Sequence, residues 1–340
     1  MDQTEPVTGV LPVTYTDVEA AARRLAGKAV TTPLLAFPLL DQGLGFRLLV
    51  KAETLQLTGS FKFRGACNKL MLIKEHQPDA KAVVAFSSGN HAQGVAAAAS
   101  MLGFTATIVM PDDAPRIKID NTKALGAEIV LYRRHSESRE AIAAEISART
   151  QAVLVPPYDD PAVMAGQGTA GLELCDQAEA MGFKPDVVIA PASGGGLIAG
   201  VATAVKHRWP KAEVLSAEPA TCNDLERSLA AGKRLANPPG STSICDALMS
   251  PQPGELTFPV HQALLSGGLS ASDADVLRAI KFALMRLKLV LEPGGAASLA
   301  CALLSREKFR GRTVVVVASG GNADPAILQR ALESEEFAIA

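Results

Sequence analysis

The 340-residue chain has no C-x-x-C pair, no H-E-x-x-H and almost no net charge, formally −2. Its five cysteines (Cys67, Cys175, Cys222, Cys245 and Cys301) are odd in number and dispersed. They exclude a disulfide framework and a cysteine-rich zinc module, and they fit a reducing cytoplasm. The histidines are few and scattered, which argues against a histidine-based metal site. A near-neutral chain is not a nucleic-acid binder acting through a basic surface. The uncharged run Gly94–Met110 contains Ser100, Gly103, Thr105 and Thr107, so it reads as helix, turn and strand and not as a membrane span. No basic segment followed by an apolar one opens the chain, so no secretory signal is expected. Solenoid repeats and low-complexity tracts are absent. Neither Ser87 nor Ser88 lies in G-x-S-x-G, which disfavours a serine hydrolase.

What is present is a hydrophobic content of 48%, enough for a large core, in a chain long enough for two domains. Met1–Leu11 reads as a loose arm, and Tyr15–Leu25 as a helix capped by Thr16 or Asp17. Beyond it, β-rich runs at Val83–Phe86, Ala106–Met110, Glu128–Tyr132 and Val153–Val155 alternate with helical Ala92–Leu102, Ile117–Leu125 and Ser138–Arg149. The alternation returns at Val187–Ala190, Leu197–Lys206, Val214–Ala217 and Thr313–Ala318. Such spacing predicts βαβ units and parallel sheet. Turn clusters at Pro156–Pro161 and Asn237–Gly240 suggest boundaries.

Three strands run into a Ser/Gly turn: Ser87-Ser88-Gly89-Asn90, Ser193-Gly194-Gly195-Gly196 and Ser319-Gly320-Gly321-Asn322. Parallel α/β sheets bind ligands beyond the carboxyl ends of their strands. A turn of this kind exposes backbone N–H groups, and a following helix adds its positive end. The dipole alone supplies only about 0.3–1 kcal/mol, so a tight anion site also needs directed N–H bonds. Three such turns suggest a ligand with more than one anionic or polar group.

A second unusual stretch surrounds Lys62. Apolar residues at Phe63, Ala66, Cys67, Leu70 and Ile73 follow helical spacing, with Ser60 as N-cap. Lys62 then falls in the first turn, where the dipole disfavours a cation, and it is flanked by Phe61 and Phe63. Both effects lower an amine pKa, as a Schiff-base lysine requires. The segment also reads as a two-faced strand, with Phe61 and Phe63 inside and Lys62 and Arg64 in water.

Six pieces in order resemble the fold type II pyridoxal-phosphate enzymes, specifically the serine/threonine dehydratase and serine racemase family. They are Ser60-Phe61-Lys62-Phe63-Arg64-Gly65-Ala66, Ser87-Ser88-Gly89-Asn90-His91-Ala92-Gln93-Gly94, Ala165-Gly166-Gln167-Gly168-Thr169, Ser193-Gly194-Gly195-Gly196-Leu197, Glu292-Pro293 and Ser319-Gly320-Gly321-Asn322. They span Thr32 to Asp324. The resemblance implies an α/β architecture like that of the tryptophan synthase β subunit, with two three-layer domains built on parallel sheet. Residues 1–80 and 160–340 would form the larger, cofactor-binding domain, and 81–159 a smaller substrate-closing domain inserted in it.

The resemblance also implies roles. Lys62 carries pyridoxal 5'-phosphate and removes the substrate Cα proton. Phe61 packs on the cofactor ring, Asn90 bonds its hydroxyl, and Glu292 belongs to the same set. Ser193, Gly194, Gly195, Gly196 and Leu197 cradle the phosphate. Ser319 faces the pyridine nitrogen, a hydroxyl pattern that goes with β-elimination and racemisation. Ser87, Ser88, Asn90 and His91 take the substrate carboxylate. The implied reaction is dehydration and deamination of L-threonine or L-serine to a 2-oxo acid and ammonia, by a cytoplasmic homodimer.

Other residues bear on the branch. Serine at position 88, where many threonine dehydratases carry alanine, resembles serine racemases and 3-hydroxyaspartate dehydratases; it either exchanges a proton at Cα or caps the next helix. Glu218, Asp224 and the carbonyl of Cys222 match a magnesium or calcium site of that branch, the alternative being a solvated Glu218 and a helix-capping Asp224. Arg139 resembles an arginine that approaches a second substrate carboxylate, or it is a surface helix residue. Cys245 and Ala247 depart from the usual alanine-aspartate-glycine after Ile244. No C-terminal regulatory domain is expected. A nucleotide-dependent oxidoreductase is the rival from another class: Gly194–Ala199 fits a relaxed G-x-G-x-x-A turn and Glu218 lies ~20 residues on.

Overall fold

The β-rich runs become two separate sheets. The structure, a computed structural model, describes residues 11–87, 89–114, 116–133 and 136–339. Ten strands occur among them: β1 (Leu34–Ala36), β2 (Arg47–Lys51), β3 (Ala82–Phe86), β4 (Thr105–Pro111), β5 (Glu128–Tyr132), β6 (Val153–Leu154), β7 (Val187–Pro191), β8 (Glu213–Pro219), β9 (Gly267–Ala271) and β10 (Thr313–Val317). One sheet has the order β1-β2-β10-β7-β8-β9 and the other β5-β4-β3-β6. Every pairing of these strands is parallel except β1 with β2. Strands β1, β2 and β9 were not anticipated.

Both sheets are covered on both faces, which is why central strands such as β7 and β10 read as unbroken apolar runs. Along β10, Val314 and Val316 join the core under helices Asp273–Phe282 and Pro293–Leu304. Val315 and Val317 join the opposite core, with Leu174 of helix Pro161–Ala180 and Val201 of helix Gly196–Arg208. The smaller sheet repeats the arrangement: Val83 and Ala85 face one core, and Val84 faces another with Ala143 and Ile146. These are the expected three layers.

Local expectations were mostly shifted by a residue or two, with two instructive exceptions. Helix Tyr15–Leu25 is capped by Thr14 and not by Thr16 or Asp17; Asp17 is instead the third helical residue, whose carboxylate accepts from the Thr14 backbone N–H at 2.9 Å. That reciprocal capping box satisfies two otherwise orphaned donors. The Lys62 segment is a helix, Lys62–His76, but Ser60 does not cap it. Thr58 and Gly59 are both left-handed, at φ 63° and 71°, and they turn the chain so that an extended Ser60 bridges to Gly320. The strand alternative, with Arg64 in water, is overturned: Arg64 is 1% exposed. Gly94–Met110 forms the end of helix Asn90–Leu102, a left-handed Gly103 and most of β4. No helix among the described residues is long and apolar enough to cross a membrane.

Candidate active site

The Ser/Gly turns that follow β3, β7 and β10 converge on one cleft. Ser87, Gly89, Asn90 and His91 line it from the smaller sheet, and Ser193–Leu197 and Ser319 from the larger. Phe61, Lys62 and Glu292 complete the floor. Sequence distance is thus collapsed at the carboxyl ends of parallel strands, where α/β folds place their sites.

Lys62 Nζ donates to the carbonyl of Pro157 at 2.7 Å and lies 5.2 Å from the centre of the Phe61 ring. Burial pulls its pKa down to about 8, against the opposing charge of Glu292. A useful fraction of the amine is therefore neutral, and nucleophilic, near physiological pH.

The Ser193–Leu197 turn leads into helix Gly196–Arg208, whose first N–H groups have no helical partner. Gly195 is left-handed at φ 96°, and a Cβ on it would lie 2.0 Å from Cε1 of His261; one on Gly194 would lie 2.2 Å from the Tyr158 ring. Only glycine permits this backbone. The turn is also held from behind. Thr257 Oγ1 donates to the Gly194 carbonyl at 2.6 Å, and His261 Nε2 donates to the Gly195 carbonyl at 3.0 Å. Burial lowers the His261 pKa to about 4, so it stays neutral. Asp159 accepts from the N–H groups of Glu255, Leu256 and Thr257, and so fixes the segment that carries these braces. A helix N-terminus with a fixed glycine turn fits a phosphate group.

Asn90 Nδ2 donates to Glu292 Oε1 at 2.5 Å, and Asn322 Nδ2 donates to Asn90 Oδ1 at 2.8 Å. Burial, with Asp246 nearby, raises the Glu292 pKa to about 7, against the Asn90 hydrogen bond. Ser319 is buried, and its carbonyl accepts the Phe61 N–H at 3.1 Å. Ser87 Oγ accepts from the Gly89 N–H at 3.2 Å and closes the first turn; Ser88 lies outside the described residues. His91 is buried, with Nε2 donating to the Val155 carbonyl at 2.9 Å. Burial and the Lys62 charge lower its pKa to about 3, so it is a neutral group. Arg139 reaches the cleft wall, stacked 5.1 Å over Phe86 and bonded to Glu140.

The remaining candidates form a separate group. Glu218 and Asp224 are both fully buried. Glu218 accepts from the N–H groups of Leu225 and Glu226 at 2.9 and 2.8 Å. Asp224 Oδ1 accepts from Asn237, while Oδ2 is buried with no partner. Burial, then the charge of Asp224, raises the Glu218 pKa to about 8, and burial raises that of Asp224 to about 6. Two buried carboxylates with an orphan oxygen suit a hard divalent cation. No group of three or more His, Cys, Asp or Glu side chains able to hold a metal occurs among the described residues, so further ligands would be backbone oxygens such as that of Cys222. The alternatives fail: Glu218 is not solvated, and Asp224 is the first helical residue, after Asn223 at the cap. Glu218 is fully buried and is not among the residues that line the cleft, so it does not reach a ribose bound there, which removes the oxidoreductase reading.

Sequence reasoning missed Tyr158, Thr257, His261, Lys118 and Asp246, and it assigned Asn322 no role. The neighbours of Tyr158, Thr257, His261 and Lys118 carry no motif that marks them, whereas Asp246 stands within the divergent loop after Ile244. Of the divergent loop, Ala247 lines the cleft, whereas Cys245 packs into the core.

Residues 26–320 match the sequence profile of the family described as "Pyridoxal-phosphate dependent enzyme". The chain is 40% identical over 310 residues to the L-threo-3-hydroxyaspartate ammonia-lyase of Pseudomonas sp., covering 91% of this chain and 95% of that protein. It is 38% identical over 315 residues to the serine racemase of Schizosaccharomyces pombe, covering 93% and 95%. Among solved structures, the serine racemase of maize superposes with a TM-score of 0.87 at 35% identity, over 95% of this chain and 97% of that one. A solved threonine deaminase superposes with a TM-score of 0.86 at 45% identity, over 92% and 99%. The family match runs from before β1 into the turn after β10 and takes in Lys62, the first two Ser/Gly turns and Ser319-Gly320 of the third: the chain belongs to the pyridoxal-phosphate-dependent enzyme family.

Proposed function

We propose that the protein is an ammonia-lyase that removes water and then ammonia from a small L-β-hydroxy amino acid, L-threonine or L-serine, leaving a 2-oxo acid. The observation that carries this reading is the convergence of Lys62, the glycine turn at Ser193–Leu197 and Ser319 on one cleft. Pyridoxal phosphate, when bound, supplies an electron sink for the bonds broken at Cα and Cβ. Lys62 would hold it, the N–H groups of Ser193–Leu197 would take its phosphate, and Phe61, Asn90, Glu292 and Ser319 would surround its ring. Ser87, Asn90 and His91 bound the turn that receives the substrate carboxylate. Lys62, kept partly neutral, takes the Cα proton. Ser88 is assigned the proton exchange on the opposite side of Cα.

A second reading, a 3-hydroxyaspartate substrate, is favoured by Arg139 on the cleft wall. A panel of L-threonine, L-serine, threo- and erythro-3-hydroxyaspartate tests both, with 2-oxo acid and D-serine followed. Turnover of threonine and serine is expected; D-serine should vanish in Ser88→Ala. No 2-oxo acid from any of them would contradict the function.

Glu218, Asp224 and the Cys222 carbonyl are assigned to Mg2+ or Ca2+, which would act by fixing the β8 end of the larger sheet. A cation that binds only the folded state stabilises it by about 2.7 kcal/mol at a hundredfold excess over Kd. Mg2+ or Ca2+ should therefore raise the Tm of wild type and not of Asp224→Asn; equal shifts in both would remove the site.

Residues 81–159 are taken to close over the cleft as a smaller domain, in a cytoplasmic homodimer. Exposed Val30, Leu55, Leu57 and Val290 lie on segments hydrogen-bonded to one another, and they suit a subunit contact. Sedimentation equilibrium should give twice the chain mass, and Leu55→Asp a monomer; a monomeric wild type would contradict this.

A further inference from the structure

Lys118 and Asp246 face each other across the cleft. Lys118 sits on helix Arg116–Ala124 beside the smaller sheet, and Asp246 opens the turn Asp246–Leu248 on the side of the larger sheet. Nζ lies 2.6 Å from Oδ2. Both residues line the site. The lysine side chain is 17% exposed and the carboxylate 49%. Nζ also stands 4.0 Å from the position a Cβ on Gly89 would take, so it flanks the turn that leads into helix Asn90–Leu102.

The charges around this pair are arranged by wall. The smaller-sheet side carries Lys118 and Arg139, and the opposite side carries Asp246 and Glu292, with Lys62 on the floor bonded to the Pro157 carbonyl. Glu292 is already engaged by Asn90, and Arg139 by Glu140. Asp246 is thus the carboxylate that neutralises Lys118. An ion pair whose acid is half open to water is worth little, so a second carboxylate brought in on a substrate can displace Asp246 at small cost. A methyl group or a hydrogen cannot.

We infer that Lys118 determines substrate specificity by changing partners, from Asp246 to the distal carboxylate of a dicarboxylic β-hydroxy amino acid. Asp246 is the placeholder that keeps the lysine neutralised and aimed into the cleft. The inference rests on the proposed elimination reaction and names the class of substrate that its site selects.

The test compares kcat/KM for L-threo-3-hydroxyaspartate and L-threonine in the cofactor-loaded wild type, Lys118→Met, Lys118→Arg and Asp246→Asn. The acidic-to-neutral ratio should fall at least tenfold in Lys118→Met and be largely restored in Lys118→Arg. In Asp246→Asn it should rise several-fold, because the competing carboxylate charge is gone and the lysine remains. Calorimetric binding of succinate should weaken in Lys118→Met and tighten in Asp246→Asn, with butyrate as the monocarboxylate control. Parallel losses for both substrates in both variants would overturn the inference and make the pair a closure latch. If wild type eliminates neither substrate, the proposed reaction fails, and the succinate titrations still decide the role of Lys118: opposite shifts uphold it, and unchanged binding overturns it.

Discussion

Lys62→Ala should lose turnover by a thousandfold or more while remaining folded. Removing a positioned acid–base group costs ~10²–10⁴ in rate, and here the same side chain also anchors the cofactor. The fold should tolerate the change. Alanine is the best helix former, and the lysine contributes one hydrogen bond, to the Pro157 carbonyl, from a position open to the cleft. Circular dichroism should therefore be unchanged. The phosphate turn is intact in this variant, so cofactor should still bind, reversibly, and a small added amine should restore part of the rate. The amine's environment gives a further check. With its pKa brought down to about 8 by burial, modification of Lys62 by an added aldehyde should reach half its maximal rate near pH 8. Exposed lysines react in proportion to a much smaller neutral fraction. A variant that kept a tenth of wild-type activity would refute the role of Lys62.

Arg64→Met should produce the largest loss of stability, about 3–5 kcal/mol, the usual cost of leaving a buried charge without its partner. Arg64 holds Glu53 with two hydrogen bonds, at 2.7 and 2.9 Å, and Glu173 with two more, at 2.7 and 2.8 Å. Lys51, also buried, donates to Glu173 and to the Thr32 carbonyl. The cluster ties the helix that begins at Lys62 to β2 and to helix Pro161–Ala180, so its loss loosens the cleft as well as the core. Burial would raise the Glu53 pKa, but the Arg64 charge more than offsets it and the net shift is downward. A carboxylate depressed in the folded state contributes stability above its unfolded pKa, and that contribution is lost as pH falls through the folded value. Without Arg64, burial, the Lys51 charge and the Thr32 hydrogen bond remain, and burial, the largest of the three, should push the Glu53 pKa up. The folded variant then binds more protons than the unfolded chain, so its deficit should narrow as pH falls from 7 to 5. Urea titrations at the two pH values measure this. A deficit that widened would contradict the cluster's assigned electrostatics.

Much of the site was readable because its chemistry is local. Each Ser/Gly turn and the Lys62 segment is a run of adjacent residues at the end of a β-rich or the start of a helical stretch. Strand β10, which was read, is Val-rich and buried along its length, whereas β9 opens with Gly267 and Gly268 and reads as a turn. The braces behind the phosphate turn were not readable. Thr257 and His261 come from a helix some sixty residues downstream and act on backbone carbonyls, which have no sequence signature. Arg64 is a similar case. Its spacing allows either a wet or a buried side chain, and only the approach of Glu53 and Glu173 decides between them. Ser60 was misread as a cap because nothing at Thr58 marks a non-glycine residue with positive φ.

The most direct test of the account is to reduce the cofactor-loaded protein with borohydride and map the modified residue by peptide mass spectrometry. The account predicts one pyridoxyl phosphate group, on Lys62. Modification at Lys118, Lys51 or any other lysine, or none at all in active protein, would contradict it.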